Sequence, residues 1–418
     1  MPSAVLETDV AIVGAGAAGW SLAHWLARRP PGARPVSVVL LEAPPGPLRP
    51  PERTWCYWEP RTGPYDAALT TSWRRLRVHA PDGHGIERDI APLRYKMLRS
   101  DDFASFVARL LADDPDVLRL QAAVETVEPA DDGAEVRART AGGRPVLVRA
   151  RWVFDSRPPR SLPAARTTLL QHFHGWFVRH DRPVFDPGTV EFMDFRTPQP
   201  EHGLSFGYVL PTGRRHALVE YTEFSSQVLT REEYEAALRR YTAHVLRLGR
   251  FEVTGTESGV IPMTDAVFAR QSGPSVFRIG AASGATRPST GYTFTAVQRQ
   301  TRAVAAALHA GRHPLPPPPH RARARAMDAV LLHALDSGRV DGPAFFTRLF
   351  RRVPVRRLLC FLDGRTRLHE DLSIGLHTPV LPMLRSALEL PRLPRRSFPA
   401  PDRRHPRPSD PVETVEIP

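Results

Sequence analysis

A chain of 418 residues can bury a large core in one compound or two closely joined domains, and Cys56 and Cys360, its two cysteines, show no disulfide or zinc spacing. The formal charge of +13 is nearly all arginine, with Lys96 the only lysine, and 44 prolines stand beside it. That marks a coding bias, and no nucleic-acid-binding signature accompanies it, so nucleic acid is not an expected partner.

Residues 9–13 are an apolar run that predicts a buried strand. Gly14, Gly16 and Gly19 follow at GxGxxG spacing and open a helical stretch to about residue 28. A second apolar strand, 36–41, ends on Glu42. In this order the parts make a dinucleotide site. Gly14 permits the tight turn, Gly16 lets a pyrophosphate approach the backbone between Ala15 and Ala17, and Gly19 lets helix pack on strand. The helix start offers free N–H groups to phosphate, and Glu42 accepts from a ribose hydroxyl. A place so near the start of the chain favours resident FAD over visiting NAD. The uncharged run 10–27 is interrupted by those glycines, Ser21 and His24, so it is no membrane span, and no other segment is long and apolar enough. A cytoplasmic chain is expected.

Residues 44–64 form a proline- and arginine-rich loop around Trp55, Cys56, Tyr57 and Trp58, whose aromatics either plug the core or line an apolar ligand site. Alternation over 73–90 predicts a hairpin, and Ser100 or Asp101 caps a helix carrying Phe103, Phe106, Val107 and Leu110 on one face. Strands follow at about 124–127, 135–140, 146–150 and 151–154. The last ends on Asp155, a turn former or a ligand-facing acid at a strand end.

From 166 to 263 the pattern becomes antiparallel and aromatic, with strands at 169–178, 189–195, 204–210 and 215–222 and with Phe173 and Trp176 among its ring-bearing positions. Thr230 and Glu233 form a capping box for a helix over 231–248. A second strand and glycine turn, with Gly280 and Gly284, lead through Gly291 and Tyr292 into a helix over 293–310. Beyond the prolines at 314–319 the chain is helical. Phe345, Phe346, Leu349 and Phe350 lie there beside five arginines, a pattern that fits either a packed helix or one lying on a membrane. Residues 391–418 read as a disordered tail.

Over about residues 8–390 the chain resembles the bacterial lycopene cyclases, flavoproteins of carotenoid synthesis. The particular stretches are Arg-Thr-Trp-Cys-Tyr-Trp at 53–58, Pro-Ser-Thr-Gly-Tyr at 288–292 and Asp-Gly-Arg-Thr-Arg-Leu at 363–368. The resemblance implies an α/β fold: a Rossmann-type FAD domain of the aromatic-hydroxylase and geranylgeranyl-reductase kind, an inserted antiparallel substrate sheet and a helical C-terminal region. The expected divisions are 1–165 with 264–312, 166–263, and 320–390. It further implies β-cyclisation of the ψ ends of lycopene without net redox change, on FAD kept reduced by NADPH or NADH, at a membrane surface. Alternatives on this scaffold are an FAD-dependent isoprenoid reductase or hydroxylase, or a non-enzymatic prenyl carrier.

The acid that flavin hydroxylases place after the glycine of the second turn, Gly280, is here Ala281, so a ribityl contact falls to Asp155 or to backbone donors. Glu220 stands where the first glutamate of the plant Phe-Leu-Glu-Glu-Thr motif falls and is the candidate proton donor, with Tyr221 in place of the second and Glu223 in reserve. His172 and His174 are candidate bases. Trp55, Trp58, Phe173 and Trp176 are candidate substrate-lining residues. No metal is expected.

Overall fold

The computed structural model describes residues 4–398 and 413–415. The glycine turn is the junction of β1 (Ala4–Val13) and α1 (Ala17–Ala27), with β2 (Val38–Glu42) parallel to β1. Val10–Val13 of β1 and Val38–Leu41 of β2 are buried on both faces, which is why these stretches are unbroken apolar runs rather than an alternation. The aromatic stretch expected as a loop is instead a strand, β3 (Thr54–Pro60). Together with β4 (Thr71–Trp73) it flanks β7 (Leu93–Arg99) in a three-stranded sheet. Between them runs the predicted hairpin, β5 (Arg75–His79) and β6 (Gly85–Asp89), and α2 (Ser100–Leu110) follows β7.

The next three strands are longer than their sequence cores suggest: β8 (Val117–Ala130), β9 (Gly133–Thr140) and β10 (Pro145–Asp155). Residues 146–150 and 151–154 are one strand, because β10 pairs with β9 along its first half and with β1 along nearly all of its length. A second sheet then forms from β11 (Thr168–Arg179), β12 (Thr189–Asp194), β13 (Leu204–Pro211) and β14 (His216–Ser225). After α3 (Arg231–Arg240), whose capping box is formed as read, β15 (Phe251–Thr264) joins it on the far side of β11. The order is β15–β11–β14–β13–β12–β5–β6, so this sheet draws on residues 75–89 as well as on the middle of the chain.

β16 (Gln271–Gly273) and β17 (Val276–Arg278) return to the first sheet, and α4 (Phe294–His309) packs beside α1. The C-terminal region comprises α5 (Ala322–Asp336), α6 (Gly342–Arg352), α7 (Val355–Leu362), α8 (Leu368–Gly375) and α9 (Val380–Glu389). Phe345, Phe346, Leu349 and Phe350 of α6 face the large core shared with the second sheet, so α6 is a packed helix and its rings are unavailable to lipid. Within the expected tail, Arg396 bridges to Ala165, and β18 (Glu413–Val415) pairs with β15. The remainder of that tail, 399–412 and 416–418, lies outside the described residues.

Among the described residues no helix is long and apolar enough to cross a membrane.

Candidate active site

The two glycine turns meet. Gly14 sits at φ +97°, its N–H on the Leu41 carbonyl at 2.9 Å, and Ser156 closes over it from the end of β10. A Cβ on Gly19 would lie 1.8 Å from the Gly14 carbonyl oxygen, so only glycine lets α1 approach β1 here. A Cβ on Gly16 would meet nothing within 4 Å, which leaves clear space before the first N–H groups of α1, Ala17 onward. α1 carries no acidic residue in its first turn. A dinucleotide phosphate fits this cradle on charge and on space. Glu42, at the end of β2, is held by Arg49 and by Arg119 at 2.6 Å.

Gly280, at φ +66°, brings the second turn against α1, since a Cβ there would touch the Ala18 side chain at 2.7 Å. Its N–H is fixed by the Gln300 side chain at 2.9 Å. Gly284 closes the turn in the left-handed conformation against Phe268. Asp155 ends β10 in register with Val13, and its main-chain carbonyl accepts from Ile279 N at 3.1 Å. Its carboxylate faces Arg157 at 2.7 Å. The cofactor candidates of both halves of the sequence are thus neighbours at one end of the first sheet. Gly291, at φ +71°, presses on the Gln171 side chain of β11 and so joins that end to the second sheet.

Strand parity sorts the second sheet. Gly175 of β11 lies opposite Glu220 of β14 on one side and Glu257 of β15 on the other, and Tyr208 of β13 lies opposite Glu220. Residues directly opposite in an antiparallel pair share a face, so Glu220, Glu257 and Tyr208 point the same way, with Gly175 leaving room between the two carboxyls. Phe173 is on this face too, its ring lying over Gly259. Tyr208 and Tyr292 both meet the Tyr95 hydroxyl, the latter at 2.9 Å. Trp58 stands edge-on to Tyr292 with ring centroids 4.7 Å apart. The glutamate is therefore roofed by aromatic groups from β3, β7, β13 and the second glycine segment.

Burial decides the chemistry of Glu220. It is 8% exposed, and desolvation pushes its carboxyl up to about 8, helped by the charge of Glu257 and opposed by a hydrogen bond that Thr222 Oγ1 donates at 2.7 Å. Glu257 is raised for the same reason, although the Thr54 N–H (2.7 Å) and hydroxyl (2.5 Å) both donate to it and Arg53 and Arg99 lie near. Burial also lifts the Cys56 thiol to about 12, which makes it an inert neighbour rather than a nucleophile.

Other candidates fall elsewhere. Trp176, one residue from Gly175, points to the opposite face and packs on Phe251 and Arg239, so it does not line the Glu220 side. His172 and His174 share that outer face: His172 bonds Tyr234 (2.5 Å) and Ser225 (2.8 Å), and His174 bonds Ser258 (2.6 Å). Burial lowers His172 to about 4, so it is neutral and fully engaged. Glu223 lies opposite His172, on the outer face as well. Trp55 turns away from Trp58 and stacks on Phe294 at 5.6 Å, in the core beneath α4. Glu257, Tyr95 and Tyr208 were missed; only the pairing register distinguishes them from other strand residues.

The fold is shared widely. A geranylgeranyl bacteriochlorophyll reductase-like protein of Thermoplasma acidophilum is similar at 15% identity and TM-score 0.63, covering 92% of this chain and 100% of that one. A flavoprotein/dehydrogenase of Cytophaga hutchinsonii is similar at 14% and 0.63, covering 92% and 99%. p-Nitrophenol 4-monooxygenase of Pseudomonas putida is similar at 17% and 0.57, covering 94% and 100%. At such identities the likeness is one of architecture, which is the reductase- and hydroxylase-like α/β fold with a helical C-terminal region. No curated protein matches the chain by sequence. The family described as lycopene cyclase protein matches residues 9–388, nearly the whole of the described chain, and the protein belongs to that family.

Proposed function

We propose that the protein is an FAD-dependent lycopene β-cyclase in which Glu220 is the proton donor. The observation that carries this reading is a carboxyl held protonated near neutrality, on an aromatic-roofed face, in a chain of the lycopene cyclase family. Glu220 donates its proton to C2 of a terminal double bond, leaving a tertiary cation at C1. The C5=C6 pair attacks C1 and moves the charge to C5. That attack closes the ring, and loss of the C6 proton to the Glu220 carboxylate then forms the C5=C6 double bond of the β-ring and restores the acid, so one proton enters and one leaves with no net electron transfer.

The cradle of Gly14, Ala15, Gly16, Ala17 and Gly19, with Glu42 for the ribose and the Gly280–Gly284 turn, would hold FAD. When bound and kept reduced by NADPH or NADH, FAD would supply electron density to stabilise the cation. Trp58, Tyr208, Tyr292 and Phe173 exclude water and present ring faces to the passing charge, each worth about 0.5–2 kcal/mol. Such a site needs an acid that stays protonated without solvent, which desolvation supplies.

Expression in lycopene-accumulating cells tests this. The expected pigment has the mass of lycopene and absorbs at shorter wavelength, and reductant is consumed far below one equivalent per ring. Stoichiometric NAD(P)H consumption with a change of mass would instead identify a reductase or hydroxylase.

A further inference from the structure

Of the fifteen large apolar side chains that are prominently exposed among the described residues, seven fall within 21 consecutive positions: Leu368, Leu372, Leu376, Val380, Leu381, Leu384 and Leu388. Their spacing of about four puts them on one stripe along α8 and one along α9. Leu376 is 73% exposed and Leu388 68%. α9 is inverted for a helix of a globular domain. Its buried residue is Ser386, which accepts from Arg339, while Glu389 ties the helix to Arg339 and His333; the leucines are on the outside. An apolar surface of this extent marks an interaction site.

We infer that the leucine face of α8 and α9 seats the protein on an anionic lipid bilayer. Charge selects this occupant. Residues 365–396 hold six arginines, Arg365, Arg367, Arg385, Arg392, Arg395 and Arg396, all exposed, against three acids. Those acids are engaged within the protein: Glu370 caps α8, Asp371 pairs with Arg323, and Glu389 pairs with Arg339. A second copy docked through the same patch would set arginines against arginines, whereas an anionic leaflet takes leucines and guanidinium groups together. The rings of α6, the sequence's own candidate for lipid contact, are spent in the core. The inference deepens the cyclase reading, since it gives a hydrocarbon substrate a route from the bilayer.

The test is co-sedimentation of the full-length protein with vesicles of phosphatidylcholine alone or mixed with phosphatidylglycerol. The protein should bind the mixed vesicles, and Leu372→Ser/Leu376→Ser/Leu381→Ser/Leu384→Ser should weaken binding about tenfold or more, while Leu48→Ser/Leu110→Ser, on exposed leucines elsewhere, should not. Size-exclusion chromatography and thermal melting check that the quadruple variant folds. A quadruple variant that binds as wild type, or a wild-type protein that ignores both vesicles and instead self-associates through these leucines, would overturn the proposal. Conversion of detergent-dispersed lycopene should survive the quadruple substitution while conversion of vesicle-embedded lycopene falls. Vesicle binding without cyclisation of either preparation would end the cyclase reading and leave the docking surface standing.

Discussion

Glu220 carries a cost that depends on pH. Its carboxyl titrates near 8 in the folded chain against about 4.5 when unfolded, so between those values the native state holds a proton that the unfolded state has lost, and stability falls as pH rises. At pH 7 the deficit is about 3 kcal/mol at 1.36 kcal/mol per pH unit. Glu220→Gln, which mimics the protonated form, should melt with the wild type near pH 5 and a few degrees above it by pH 8, as differential scanning calorimetry would record. The same substitution should lower cyclisation by at least about a hundredfold while flavin stays bound. With the acid form as the proposed donor, wild-type activity should hold to about pH 8 and decline above it. The side chain's identity was legible in the sequence. Its protonation was not, because its burial and its charged neighbour Glu257 on β15 come from strands that meet β11 and β14 only in the fold.

Single elements show what pattern reading reaches. The β1–turn–α1 unit was complete in the sequence because each glycine answers a local demand, and two of them can be separated experimentally. Gly16→Ala should fold and melt as the wild-type apoprotein does, since its methyl meets open space, yet block the phosphate approach and yield protein without flavin absorbance. Gly19→Ala should lose flavin and also cost about 1–3 kcal/mol of stability, since its methyl collides with the Gly14 carbonyl. β11 is the contrary case. Its apolar residues announced a strand but not which neighbours it pairs with, and pairing puts Phe173 on the Glu220 face while Trp176, His172 and His174 are carried to the other. A reading that places every aromatic residue of a strand in one site overlooks this period of two.

Across the whole molecule, the C-terminal helices are clamped to the cofactor end by one buried ion pair. Arg287, just before the Pro-Ser-Thr-Gly-Tyr stretch, meets Asp328 of α5 at 2.8 Å, and Ser289 donates to the same carboxylate at 2.7 Å. Both charges are about 2% exposed. Asp328→Ala would strand the guanidinium and should cost about 3–5 kcal/mol, read as a lowered melting temperature with loosened binding of flavin. The pair ties the second glycine segment to a helix some forty residues later. Local chemistry in the sequence determined the nucleotide cradle and the capping box of α3, because each depends on residues within one turn or one strand of each other, while the α/β class and the position of the candidate acid came from the resemblance to the family. The tertiary structure decided which carboxyl is dry, which aromatics surround it and which helix turns its leucines outward, because burial and strand facing are properties of neighbours that the chain brings together only when folded.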